Sequence, residues 1–99
     1  MNHTVVQDNT ATVLKLRGEL DALSCPELRP VLDSLVTEGR AVTVDLSELR
    51  LIDSSGVGAM VSLYKRIRAN GGEVRFVGVT AQPLVIFKLL RLDRAFDLT

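Results

Sequence analysis

The sequence predicts an α/β fold: a single mixed β-sheet, mostly parallel with an antiparallel hairpin at its N-terminal edge, covered by about three to four helices. Three observations carry that reading. Two strand-like runs follow each other across a turn near the N-terminus. From there on helical and strand-like stretches alternate, which implies parallel pairing through right-handed crossovers. Finally, 99 residues with 46% apolar content match one domain with enough material to bury a core, so residues 1–99 are expected to form a single domain.

Thr4-Val5-Val6 is a short strand candidate, closed by the turn formers Asp8-Asn9. From Ala11 to Arg17 the residues alternate, with Thr12, Leu14 and Leu16 on one face and Val13, Lys15 and Arg17 on the other. A period of two reads as a half-buried strand, paired with the first as a hairpin. Gly18-Glu19-Leu20-Asp21 then leaves the strand. Ser24, with Glu27 three residues on, has the capping-box spacing that opens a helix, and Leu23 and Leu28 stand at the two positions of a hydrophobic staple. Leu28, Val31, Leu32, Leu35 and Val36 follow helical spacing, and Gly39 is placed to end that helix in the left-handed conformation. Pro30 lies inside the run, removes one intrahelical hydrogen bond and is expected to kink the first turns.

Ala41-Val42-Thr43-Val44-Asp45-Leu46 has the β-branched density of a strand, and Ser47 to Ile52 reads as a short connection. A second helix is expected from about Ser55 to Asn70, with Val57, Met60, Val61, Tyr64 and Ile67 on one side. Lys65, Arg66 and Arg68 fall in its later turns, where cations complement the helix dipole, and Asn70-Gly71-Gly72 stops it. Glu73 to Val79 is the next strand and Thr80 to Leu92 a third helix, which Thr80 can cap; Phe96-Asp97-Leu98 reads as a last short strand. In sheets of this kind, working residues gather where strand C-termini meet helix N-termini. Asp53 to Gly58 occupies such a junction.

Composition narrows the function classes. Formal net charge is zero, which leaves no footprint for nucleic acid or an anionic membrane. Residues 1–58 carry five Lys/Arg against nine Asp/Glu (a balance of −4) and residues 59–99 carry seven against three (+4). Two readings of that asymmetry stand open: basic residues on exposed helix faces and C-termini, or a polarised surface that orients a partner. The single cysteine, Cys25, excludes an internal disulfide, and with His3 as the one histidine there is no His/Cys metal set. No apolar run approaches a membrane span and no signal-peptide pattern opens the chain, so a cytoplasmic domain is expected.

The junction Leu51-Ile52-Asp53-Ser54-Ser55-Gly56-Val57-Gly58 concentrates two hydroxyls, a carboxylate and two glycines at a helix start. A nucleophile elbow requires Gly-x-Ser-x-Gly; around Ser54 the leading glycine is missing, and His3 is remote in sequence. A dinucleotide fingerprint fails at Val61, where the third glycine belongs, and no P-loop Gly-Lys-Ser/Thr is present. Asp45, Glu48 and Asp53 are close enough in sequence to raise a carboxylate metal site, but Asp45 falls within a strand and Glu48 in a solvated connection, so no metal is expected. Ser54 keeps two readings. It is an N-cap whose oxygen accepts a backbone N–H, or it is an acceptor for a phosphate that unpaired N–H groups and the positive helix end would favour. The glycines also keep two readings, bare backbone beside a docking partner or close packing of helix on sheet, against a cost of about 1 kcal/mol each relative to alanine.

Gly18-Glu19-Leu20-Asp21, Val44-Asp45-Leu46-Ser47 and Asp53-Ser54-Ser55-Gly56-Val57-Gly58 resemble the signature blocks of STAS domains, and more narrowly those of bacterial anti-sigma factor antagonists. The likeness extends to Asn70-Gly71-Gly72 and Leu90-Arg91-Leu92-Asp93 and so covers nearly the whole chain. The resemblance implies the STAS fold and a partner switch rather than an enzyme, without cofactor or metal. In that family the serine after the motif aspartate, here Ser54, is phosphorylated by an anti-sigma factor that is itself a serine kinase. The unmodified form binds this kinase and frees its sigma factor, the phosphorylated form lets go, and a serine phosphatase resets the cycle. Carried over, Ser54 is the phosphoacceptor, and Asp53, Ser55, Gly56, Val57 and Gly58 form the docking surface with Asp21 near the same rim. Family members usually continue into a further C-terminal helix. The competing implications are a constitutive structural STAS subunit of a lipid-transport ABC complex, whose motif often has Thr or Gly in place of Asp-Ser-Ser, and a phosphatase-activating or stressosome-type scaffold.

Overall fold

The computed structural model describes residues 2–38 and 41–98. Along them run β1 (Asn2–Gln7), β2 (Ala11–Leu20), α1 (Cys25–Glu38), β3 (Ala41–Ile52), α2 (Ser54–Ala69), β4 (Val74–Val77), α3 (Ala81–Leu89) and α4 (Leu92–Ala95). The strands form one sheet in the order β1-β2-β3-β4, with β1 antiparallel to β2 and the remaining neighbours parallel. This is the mixed sheet with an antiparallel hairpin edge that the alternating pattern predicts.

One face of the sheet makes the core. Leu14, Leu16 and Leu20 of β2, Val42, Val44, Leu46, Leu49 and Ile52 of β3 and Phe76 of β4 are buried against Leu28, Leu32 and Leu35 of α1, Val57, Met60, Leu63 and Ile67 of α2, and Phe87 of α3. Burial of aliphatic side chains on this scale is the dominant favourable term of folding. The other face is more exposed and mixes apolar residues such as Val6 and Val13 with charged ones. Lys15 and Arg17 of β2 reach Glu48 of β3 at 2.8 and 3.2 Å, and these exposed pairs add little to stability.

β2 and β3 are both longer than the residue pattern indicates. Gly18 to Leu20 does not leave the sheet but pairs with Leu49, Leu51 and Ile52, and Ser47 to Ile52 is strand rather than connection. Register shifts fall between Lys15 and Arg17 and between Gly18 and Glu19. At each shift β3 carries an extra residue, and the inward positions step from Leu46 to Leu49 to Ile52. Bulges thus replace the period of two by a period of three, which hides the strand from a simple alternation test.

Local signals are also redistributed at the helix ends. The Ser24 hydroxyl does not cap α1; it accepts from the Asp21 N–H at 2.9 Å and donates to the Glu19 carbonyl at 3.0 Å, closing the loop behind it. Leu23 is 86% exposed and makes no staple. α1 continues past Pro30 to Glu38, and the expected stop at Gly39 lies outside the described residues. α2 ends as expected, with Gly71 at φ +80° and the Gly72 N–H on the Ile67 carbonyl at 2.9 Å. Thr80 holds the N-cap position of α3 without a side-chain cap bond.

Phe96-Asp97-Leu98 is not a strand. α3 ends at Leu89, Arg91 turns the chain at φ +60°, and the single turn α4 brings Phe96 back into the core. Its ring lies 4.2 Å from Phe76, 5.0 Å from Tyr64 and 5.7 Å from Phe87, so the four aromatic side chains form one cluster. That clustering outweighs the modest strand propensity of three residues.

The core contains one polar misfit. Thr12 is fully buried, and its Oγ1 has no hydrogen-bond partner among the described residues. An orphaned buried hydroxyl costs about 1–3 kcal/mol. Thr12→Val, which keeps the shape and removes the orphan, is expected to raise stability by about 1 kcal/mol in urea unfolding, read as a higher midpoint at unchanged slope.

Candidate functional site

β3 ends at the rim of the sheet, and its last residue is followed at once by a helix cap. Asp53 donates its N–H to the Leu20 carbonyl at 3.2 Å, which extends the β2–β3 ladder by one bond. Its backbone is extended (φ −111°, ψ −173°), as an N-cap requires. One carboxylate oxygen, Oδ1, accepts the Gly56 N–H at 3.0 Å and caps α2; the other, Oδ2, accepts the Ala22 N–H at 3.2 Å from the loop between β2 and α1. Asp53, not Ser54, is therefore the cap, because the aspartate sits one residue earlier and reaches the third helical N–H. Ser54 becomes the first residue of α2, exposed, with its hydroxyl unbonded among the described residues. Ser55 is exposed beside it.

The loop that Asp53 grips has its own carboxylate. Asp21 Oδ1 accepts the Leu23 and Ser24 N–H groups, both at 3.0 Å. The hydrogen bond from the Ser24 backbone, chief among several, holds the Asp21 carboxyl below its ordinary range. Nearby, partial burial, helped by the Asp53 and Asp21 charges, pushes the Cys25 thiol up. The rim around Ser54 thus carries two hydrogen-bonded carboxylates, Asp53 and Asp21. A groove of about 630 Å³ between α1 and α2 opens from it, lined at this end by Ala22, Cys25, Ser55 and Gly58. The larger groove, about 1030 Å³, lies along β4 and shares no residue with the rim.

Of the residues singled out from sequence, Asp21, Asp53, Ser54, Ser55 and Gly58 lie along this rim and groove. Gly56 and Val57 are buried beneath it and tie α2 to the sheet. The two glycines separate cleanly. A Cβ on Gly56 would collide with the Leu20 carbonyl oxygen and stand 2.7 Å from Ile52 Cγ1, so close packing of helix on sheet accounts for it. A Cβ on Gly58 would meet nothing within 4 Å among the described residues, so none of them requires that glycine.

Asp45, Glu48 and Asp53 do not converge. Asp45 accepts the Ser47 N–H at 2.9 Å, and bonds from Ser47 hold its carboxyl low. Lys15 does the same for Glu48. Among the described residues no group of three His, Cys, Asp or Glu side chains is arranged to hold a metal ion.

The structure draws attention to three residues that the sequence left without a site role. Leu23 and Leu51, each two residues in sequence from a rim carboxylate, are 86% and 46% exposed, which residue type alone does not indicate. Gln82, the second residue of α3, hydrogen-bonds both backbone groups of Ile52 at 2.9 Å. Its signal was faint: the one polar residue in the first turn of a mostly apolar helix.

A family model described as "Mlab, STAS domain" matches residues 3–99. The chain is 33% identical over 97 residues to an anti-sigma-B factor antagonist of Staphylococcus aureus, covering 97% of this chain and 81% of that protein. It is 25% identical over 99 residues to the anti-sigma-B factor antagonist of Bacillus subtilis, covering 100% of this chain and 91% of the relative. The crystal structure of an anti-sigma factor antagonist from Mycobacterium paratuberculosis superposes with a TM-score of 0.86 at 22% identity, covering 96% of this chain and 81% of that one; this likeness concerns the fold.

The glycine geometry yields a paired prediction. Gly56→Ala is expected to destabilise the fold by about 1–3 kcal/mol, because backbone and a buried side chain must shift. Gly58→Ala is expected to stabilise it by about 0.5–1 kcal/mol through helix propensity alone. Urea midpoints of the two variants against the parent chain measure both signs.

Proposed function

The chain belongs to the STAS domain family, and from that premise we propose that it is an anti-sigma factor antagonist acting by partner switching. Unmodified, it binds an anti-sigma factor serine kinase and so releases the sigma factor. The kinase transfers the γ-phosphoryl group of ATP to Ser54 Oγ; ADP leaves, and the hydroxyl proton passes to a base of the kinase. The phosphorylated chain dissociates. A serine phosphatase restores Ser54 with water and releases inorganic phosphate. The chain acts in the cytoplasm as a binding module, not an enzyme, without nucleic acid or membrane as partner.

The free Ser54 hydroxyl carries this reading. Asp53 already satisfies the helix end through Gly56, so a phosphate on Ser54 removes no bond that holds the fold. The added charge of about −1.5 to −2 favours the positive end of α2. It also lands on a rim that holds the carboxylates of Asp53 and Asp21. In a docked complex that charge must lose water, at a cost of several kcal/mol unless cations meet it, and each 1.4 kcal/mol weakens binding about tenfold. The fold thus tolerates the modification while the interface does not. Ser55, Gly58 and the mouth of the α1–α2 groove form the surface that the kinase covers.

The test uses the anti-sigma serine kinase that co-purifies with the chain from its native host. With ATP it is expected to add one phosphate to the parent chain and none to Ser54→Ala. Ser54→Asp is expected to weaken kinase binding at least about tenfold. Stoichiometric phosphorylation of Ser54→Ala overturns the site, and parental affinity of Ser54→Asp overturns the charge switch. Co-purification with a transport ATPase, and with no kinase, points instead to the structural subunit of a lipid-transport ABC complex.

A further inference from the structure

β3 is paired unequally along its two edges. On the β2 side the ladder runs to Leu20 and Ile52, and the Asp53 N–H continues it onto the Leu20 carbonyl. On the β4 side the pairing stops at Asp45 with Val77. Along a strand the N–H and C=O of one residue point to the same edge, and those of the next residue to the other. The Ile52 N–H and C=O therefore face the side where β4 has already ended, and Ile52 is only 3% exposed. Left alone, they would be a buried orphan donor and acceptor immediately before the cap. The Gln82 side chain fills the gap: Nε2 donates to the Ile52 carbonyl and Oε1 accepts the Ile52 N–H, both at 2.9 Å. These are the two bonds a neighbouring strand would make, supplied by one primary amide thirty residues away on the first turn of α3.

We propose that Gln82 is a positioning residue for Ser54. Its amide pins the backbone just ahead of Asp53 to α3, while the Asp53 carboxylate pins the next peptides to Gly56 and to the Ala22 loop. The turn that presents the hydroxyl is held from both sides, and its height above the sheet is set by the seating of α3. Phosphoryl transfer between two proteins demands such placement, since a misplacement of about 1 Å can reduce a rate about 100-fold. The functional half of this inference rests on Ser54 being the phosphoacceptor; the clamp itself does not.

Two variants of the full chain test it. Gln82→Met keeps the length of the side chain and removes both bonds. Gln82→Glu keeps the acceptor for the Ile52 N–H and, at neutral pH, loses the donor. Amide hydrogen exchange followed by NMR compares Asp53, Gly56 and Val57 with Leu32 to Val36 of α1. In Gln82→Met the three turn amides are expected to lose about tenfold more protection than the α1 amides, with Gln82→Glu intermediate. A merely structural role moves both groups together, in step with global stability. With ATP and the kinase that co-purifies with the parent chain, Gln82→Met is expected to lower kcat/KM for Ser54 at least about tenfold, with partial recovery in Gln82→Glu. Equal loss of protection in both regions, or phosphorylation of Gln82→Met at the parental rate, overturns the proposal. If the parent chain itself takes no phosphate, the Ser54 reading fails, and the exchange comparison alone decides the clamp.

Discussion

The arrangement at the rim depends on one carboxylate that serves two elements. Asp53 places one oxygen on the N–H of Gly56 and the other on the N–H of Ala22, so a single side chain caps α2 and anchors the loop leading to α1. Because the cap lies on Asp53, the following hydroxyl has nothing structural to do. A helix N-terminus offers several unpaired N–H groups and a positive dipole end, and Ser54 stands there exposed and unbonded among the described residues. The helix cap and the exposed hydroxyl are thus carried by two different side chains.

The sheet sets where that carboxylate can reach. Bulges in β3 carry the strand through Ile52 and return its apolar residues to the core at Leu49 and Ile52. With that length, β3 ends level with Leu20, whose carbonyl receives the Asp53 N–H and whose neighbourhood leaves no room for a side chain on Gly56. The helix therefore starts hard against the strand ends, and only glycine fits at that point. Two residues on, Gly58 meets no such wall; its lack of a side chain leaves open the mouth of the α1–α2 groove. At the opposite side of the core, Phe96 closes the aromatic cluster with Phe76, Tyr64 and Phe87, and α3 is seated between that cluster and the clamp on Ile52.

Much of this was legible in the sequence, and the failures have physical causes. The alternation at Leu14 and Leu16, the Asn70-Gly71-Gly72 stop and the crossover order all carry local signatures, and the mixed sheet follows from them. The second half of β3 does not, because bulges break the period that identifies strands. Phe96 misled because the short Phe96-Asp97-Leu98 stretch carries no information about three aromatic partners distant in sequence. The junction stood out as a candidate site from its crowding of hydroxyls and glycines. Which residue caps and which stays free depends on a reach of one position, and short polar runs do not encode that reach. The proposal that Ser54 is the phosphoacceptor rests on resemblance to STAS domains and not on spacing. Gln82 left only a faint mark for a further reason: an amide that completes a strand thirty residues away leaves no periodic trace.

The central claim, that Asp53 holds the helix and Ser54 does not, is tested most directly by urea unfolding of Asp53→Ala and Ser54→Ala side by side. Loss of an N-cap costs about 0.5–2 kcal/mol, and a surface residue free of structural bonds costs less than about 0.5 kcal/mol. Asp53→Ala is expected at the upper end of the first range, since it also releases the Ala22 loop, while Ser54→Ala unfolds at the parental midpoint. A Ser54→Ala variant that loses as much stability as Asp53→Ala, or more, contradicts the account.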